Sequence, residues 1–127
     1  MKRLSFLMIT AALLCGCGAS KGTPAYRQIS MDEAVTLLAE DSGYILLDVR
    51  TQSEYDSGHI PGAICLPNES IGGEAPVQLP DKHQTIYVYC RSGNRSKQAS
   101  EKLVALGYTN IVEFGGINDW PGETVTG

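Results

Sequence analysis

Cys90 is followed by Arg91, Ser92, Gly93, Asn94, Arg95 and Ser96, which sets a sulfur nucleophile, two guanidinium groups, a glycine and three small polar side chains within one short stretch. These residue types suit the holding of a sulfur anion. A thiol of ordinary pKa, about 8.5, is only ~3% ionised at neutral pH, and a fall of ~2 units would make it mostly thiolate. That fall corresponds to about 2.7 kcal/mol. The first turn of a helix presents N–H groups without partners, and its dipole supplies ~0.3–1 kcal/mol, rising to ~2 in partly buried geometries. Arg91, Arg95 and several N–H donors are therefore expected to share the task. A free cysteine more commonly serves as a small buried hydrophobe, but in that role it gains nothing from two arginines at its side.

The neighbouring pattern supplies the turn this chemistry needs. Residues 86–89, Ile-Tyr-Val-Tyr, form an apolar run that predicts a buried strand. Residues 97–106 carry Ala99, Leu103 and Leu106 on one helical face, with Gly107 positioned as the C-terminal cap. Cys90 thus falls at a strand-to-helix turn, where an anion site is expected. Further strands are predicted at 26–29, 44–49, 63–66 and 110–114. Ser30 with Glu33, and Thr51 with Glu54, read as capping boxes opening two more helices, the first with Ala34, Leu37 and Leu38 as its apolar stripe. Strands alternating with helices, one of them apolar almost throughout, predict an α/β domain with a mostly parallel sheet.

Asp48 and Arg50 fall at the carboxyl end of the 44–49 strand, the edge at which ligands bind in open α/β sheets. They are candidates to support the Cys90 site, or to fix the turn structurally, with Arg50 paired to Glu54. His59 invites a reading as a base, but Ile-Pro-Gly after it makes a framework histidine, satisfied by backbone, the preferred assignment. Cys65 reads as a small hydrophobe within its strand. Residues 67–82 form a long connection of the kind that is often functional, expected to contribute to the rim of the site. Trp120 reads as a core anchor.

The chain has 127 residues and a formal charge of −4, room for one ordinary domain, and shows neither a basic stripe for nucleic acid nor a repeat. Cysteines at 15, 17, 65 and 90 match neither a zinc site nor a disulfide framework. Lys2 and Arg3, the apolar run 4–14 and then Leu14-Cys15-Gly16-Cys17 resemble a bacterial lipoprotein signal. The expectation is a signal peptide over residues 1–16, a lipidated tether over 17–25 with the lipid on Cys17, and one domain over 26–127. That would place the domain outside the cytoplasm, anchored to a membrane of the cell envelope. The alternatives are an ordinary signal cleaved near Ala19 and an uncleaved anchor, the latter disfavoured by the shortness of the run.

Leu47-Asp48-Val49-Arg50, Glu54-Tyr55, Gly58-His59-Ile60-Pro61-Gly62-Ala63, the Cys90 loop and Gly115-Gly116-Ile117-Asn118-Asp119-Trp120 occur in that order. Over residues 29–122 the chain so resembles a single-domain rhodanese, a sulfurtransferase module. The resemblance implies a three-layer domain with a central five-stranded sheet and helices on both faces. It also implies transfer of sulfane sulfur from an anionic donor such as thiosulfate to a thiol or protein acceptor, through a Cys90 persulfide. The loop from Arg91 to Ser96 would hold the anion, Asp48 and Arg50 would brace it, and no metal or organic cofactor would be required. Two other readings compete: a non-enzymatic sulfur carrier or protein-binding module, and a cysteine phosphatase or arsenate reductase. Those last enzymes place arginine six residues after the cysteine, whereas here Ser96 holds that position and Arg95 comes one residue early.

Overall fold

The structure is a computed structural model and describes residues 25–127; the expected signal peptide and Cys17 lie outside the described residues. The elements run β1 (Arg27–Gln28), α1 (Met31–Glu40), β2 (Ile45–Asp48), α2 (Gln52–Ser57), β3 (Ile64–Cys65), β4 (Ile86–Cys90), α3 (Asn94–Ala105) and β5 (Ile111–Gly116). Short 3-10 turns at Asn68–Ser70 and Ile117–Asp119 complete the order. The strands form one sheet in the order β1-β5-β4-β2-β3, and each neighbouring pair is parallel.

Alternation along the strands sorts the core into two layers. Leu47, Val49, Ile86, Val88, Cys90 and Ile111 pack on one face with Ala99 and Leu103 of α3. Leu46, Tyr87, Tyr89, Val112 and Phe114 pack on the other with Ala34 of α1, and Tyr55 of α2 lies against the same layer. All five residues of β4 are buried. The central strand therefore delivers Cys90 to the carboxyl edge of the sheet with apolar cover on both sides.

Local capping matches the sequence in part. Thr51 and Glu54 form the full reciprocal box at the start of α2. At α1 only half of the box is present: Ser30 Oγ accepts from the Glu33 N–H at 3.1 Å, while the Glu33 carboxylate lies 3.6 Å from Arg27. α3 ends as expected, Gly107 adopting φ +101 and the N–H groups of Gly107 and Tyr108 closing on Val104 and Leu103.

The connection from β3 to β4 differs from expectation. Only its beginning lies near the carboxyl edge, where Asn68 Nδ2 donates to Gln98 Oε1 at 2.9 Å. It then runs along the α3 side, burying Ile71 and Leu79 in that layer. It returns to the opposite edge, where Leu79 O accepts from the Tyr108 hydroxyl and Lys82 O from the Thr109 N–H. A parallel crossover must regain the amino edge of the sheet, and most of this segment does so as a strap held by Ile71 and Leu79, with only its start left at the carboxyl edge.

Candidate active site

α3 begins at Asn94, three residues earlier than its apolar periodicity indicates, with Gly93 as N-cap at φ +112. That left-handed conformation, which suits glycine, reverses the chain within Arg91–Gly93 and brings the helix start back over Cys90. The Gly93 N–H donates to Cys90 Sγ at 3.0 Å, and Ser96 Oγ lies 3.5 Å from the same sulfur. Burial pushes the Cys90 thiol up, but hydrogen bonds from the Ser96 side chain and from the N–H groups of Ser96, Gly93 and Ser92 outweigh it. The net direction is below an ordinary thiol.

The floor of the site is the end of β5. Val88 pairs with Glu113, yet Cys90 pairs with Gly116, so β5 carries one extra residue in a bulge. Gly115 adopts φ +98 there. A Cβ on Gly116 would overlap the Arg91 carbonyl, and that carbonyl accepts from the Asn118 N–H at 3.1 Å. The two glycines let β5 pass directly beneath the loop.

The two arginines of the loop diverge. Arg95 makes a two-point ion pair with Glu54 of α2, at 2.7 and 3.0 Å. Its charge is thus engaged in fastening α3 to α2, where the sequence suggested that it would face an incoming anion. Arg91 is exposed and forms no ion pair among the described residues. It is the guanidinium of the loop left open to an anion. Ser92 and Asn94 are exposed beside it.

Asp48 and Arg50 form a buried pair of their own. Arg50 Nε and Nη2 reach Asp48 Oδ1 and Oδ2 at 3.0 and 2.7 Å, and Nη2 also donates to Gly58 O at 2.7 Å. Asp48 Oδ2 accepts the Tyr89 hydroxyl at 2.7 Å, and that hydroxyl accepts from the Ile60 N–H. The pair therefore anchors the residue immediately before Cys90. Arg50 does not take Glu54, since Glu54 is committed to Arg95.

His59 stacks on Tyr55 with ring centroids 3.7 Å apart, and its Nδ1 lies 2.9 Å from Tyr55 O. Its backbone bridges to Val125, a framework position. Cys65 is half-buried on β3, with β2 between it and β4, and its thiol donates to Arg50 O at 3.7 Å. Trp120 is half-buried at the margin of the α1-side layer, its indole N–H donating to Glu123 O at 3.0 Å.

One site residue escaped the sequence reading. Glu113, 2% exposed, lies on the same face of the sheet as Cys90 and accepts the Ser96 hydroxyl at 2.5 Å and the Gly115 N–H at 2.9 Å. The signal was a lone carboxylate in the otherwise apolar run 111–114, a charge that burial tolerates only with dedicated partners. Among the described residues no cluster of side chains could hold a metal ion.

The Rhodanese-like domain family matches residues 30–123. The chain is 38% identical over 73 residues to Thiosulfate sulfurtransferase PspE of Escherichia coli, covering 58% of this chain and 70% of that protein. It is 35% identical over 107 residues to Thiosulfate sulfurtransferase GlpE of Pseudomonas entomophila, covering 80% and 94%. Among solved structures, a rhodanese with anions from E. coli superimposes with a TM-score of 0.60 at 36% identity, over 66% of this chain and 99% of that one.

Proposed function

The chain belongs to the rhodanese-like family and is an enzyme of the thiosulfate sulfurtransferase type, and we propose that it works through a persulfide on Cys90. The Cys90 thiolate attacks the outer sulfur of thiosulfate. A bond forms between the two sulfurs, the sulfur–sulfur bond of thiosulfate breaks, and its electron pair leaves with sulfite. An acceptor nucleophile, cyanide in an assay or a thiol, then takes the outer sulfur and returns the thiolate. The N–H groups around Gly93 support the sulfur anion, and Arg91 draws in the donor. The observation that carries this reading is the Cys90 sulfur at the start of α3, 3.0 Å from the Gly93 N–H, with its thiol held below the ordinary value. Arg95, one position short of a phosphatase arginine and paired with Glu54, speaks against oxyanion chemistry of that class.

The test is the intact mass of residues 20–127, reduced and exposed to thiosulfate, beside Cys90→Ser. One added sulfur, absent from the variant and removed by cyanide, is the expected result. No addition to a demonstrably free thiol would remove thiosulfate as donor.

The N-terminal pattern supports a second element of the proposal: residues 1–16 are a signal peptide, Cys17 carries lipid, and the domain works at the cell envelope outside the cytoplasm. Loss of labelled fatty acid from the chain on Cys17→Ala is the expected outcome. Equal labelling of both would overturn it.

A further inference from the structure

Ser96 has one hydroxyl proton and two acidic neighbours. Its Oγ lies 2.5 Å from Glu113 Oε2 on one side and 3.5 Å from Cys90 Sγ on the other. All three residues are buried. In the observed geometry the hydroxyl donates to Glu113, and the thiol donates to Ser96 Oγ. The Ser96 bond that lowers the Cys90 thiol therefore competes with Glu113 for one proton. We propose that Glu113 is a positioning residue for the nucleophile: Cys90, Ser96 and Glu113 form one unit in which Ser96 donates to the Cys90 thiolate only when Glu113 no longer accepts from Ser96.

Two arrangements of this unit carry the same single negative charge. In one, Glu113 is ionised, Ser96 donates to it, and Cys90 is a thiol. In the other, the thiol proton has passed to Ser96 Oγ, the Ser96 proton has passed to Glu113 Oε2, and Cys90 is the thiolate. Two protons move one position each and nothing is exchanged with solvent. The doubly ionised arrangement sets two anions around one donor hydroxyl.

Among the described residues Glu113 is held by neutral donors and not by a salt bridge. Gln28 Nε2 of β1 approaches Oε1 at 3.3 Å, and the Gly115 N–H reaches Oε2. Tyr26, before β1, feels the negative charge of both Glu101 of α3 and Glu113. Arg95 of α3 feels the charge of Cys90 but is engaged by Glu54. Cys90 of β4 shares Ser96 with Glu113, and no salt bridge to Glu113 exists among the described residues.

This inference rests on Cys90 as the nucleophile, but its test reads ionisation and needs no turnover. The thiolate absorbance of Cys90 is titrated in Cys65→Ser protein of residues 20–127, with and without Glu113→Gln, before and after adding Ser96→Ala. An amide at 113 carries no charge and can donate to Ser96, which leaves the hydroxyl to be shared between sulfur and the Gly93 carbonyl, 3.0 Å away. The expected result is a thiolate midpoint at least about tenfold lower in proton affinity, roughly one unit, and a much smaller change in the Ser96→Ala background. An unchanged or raised midpoint, or an undiminished change without the hydroxyl, overturns the shared-proton unit. Should Glu113→Gln fail to fold, the protein with Glu113 intact still decides. Its Glu113 carboxyl NMR resonance must move over the pH range in which Cys90 ionises and lose that movement once Cys90 is alkylated; a resonance indifferent to Cys90 overturns the proposal. Absence of sulfur transfer would sink the persulfide mechanism and leave these titrations unaffected.

Discussion

Glu54 and Arg95 face each other across the junction of α2 and α3, joined by two hydrogen bonds of 2.7 and 3.0 Å with each side chain about a quarter exposed. Arg95 lies five residues after the nucleophile, so the pair fixes the far end of the Cys90 loop to a helix distant in sequence. The same Glu54 completes the capping box at Thr51, and one carboxylate thereby organises both helix starts.

Strong acid should weaken that junction. The Arg95 hydrogen bonds pull the Glu54 carboxyl from 4.5 to about 2, against the opposing push of burial and with help from Thr51. Because the folded value is depressed, the stabilisation is complete above the ordinary carboxylate value and is lost as pH falls toward about 2. With allowance for solvent at a partly exposed pair, Glu54→Gln should cost ~1 kcal/mol at neutral pH and flatten the acid side of the stability curve. Denaturant melts of both proteins at pH values across that window provide the check; parallel curves would refute the assignment.

The two cysteines of the domain should separate by titration. Hydrogen bonding holds the Cys90 thiol below its ordinary value, whereas burial, followed by the charge of Asp48, pushes the Cys65 thiol up. Ultraviolet thiolate absorbance of residues 20–127 should therefore rise at lower pH in Cys65→Ser than in Cys90→Ser. Sulfur uptake should follow the lower of the two curves, falling away as pH drops through it. Coincident titrations would contradict both directions.

Asp48→Asn should be among the most damaging single changes. It leaves the buried Arg50 guanidinium without its counterion, and removing one partner of such a pair costs about 3–5 kcal/mol. The amide also removes an anionic acceptor from the Tyr89 hydroxyl, next to Cys90. Thermal melts should show the loss, and sulfur transfer should fall even in the fraction that remains folded. A melt within experimental error of the parent would refute the brace.

Gly116→Ala should fail for a backbone reason. Its methyl group would overlap the Arg91 carbonyl, which cannot rotate aside as a side chain could. A loss of about 2 kcal/mol or more is expected, with the loop displaced. At Gly93 the nearest atom to an added Cβ is at 3.7 Å, so Gly93→Ala meets no such overlap and suffers only the cost of φ +112, roughly 1–2 kcal/mol. Melting curves that rank the two in reverse order would count against this geometry.

Much of the architecture was legible because the strands and the α1 and α2 caps carry local signals. The apolar run of β4, the Thr51–Glu54 box and Gly107 each encode their element within a few residues. The start of α3 was hidden, since Asn94, Arg95 and Ser96 lack apolar periodicity and the helix begins there because Gly93 reverses the chain. The partner of Arg95 could not be read either: Glu54 is 41 positions away, and only the fold brings them together. The strap at 67–82 looked like a rim because its two core contacts, Ile71 and Leu79, are too sparse to form a pattern. Glu113 was visible as an anomaly in its strand, but its meaning depends on Ser96 arriving from a different element.

The extra residue of β5 restricts how the chain can change in length. Gly72 to Ala75 are exposed, and insertions in that part of the strap would extend into solvent. Loss of a single residue at Gly115 would erase the bulge and with it the N–H that reaches Glu113. The residues after it would be drawn back by one position, carrying Asn118 away from the Arg91 carbonyl. Drift in length is therefore open on one side of β4 and closed on the other, a polarity that the charge and composition of the chain do not reveal.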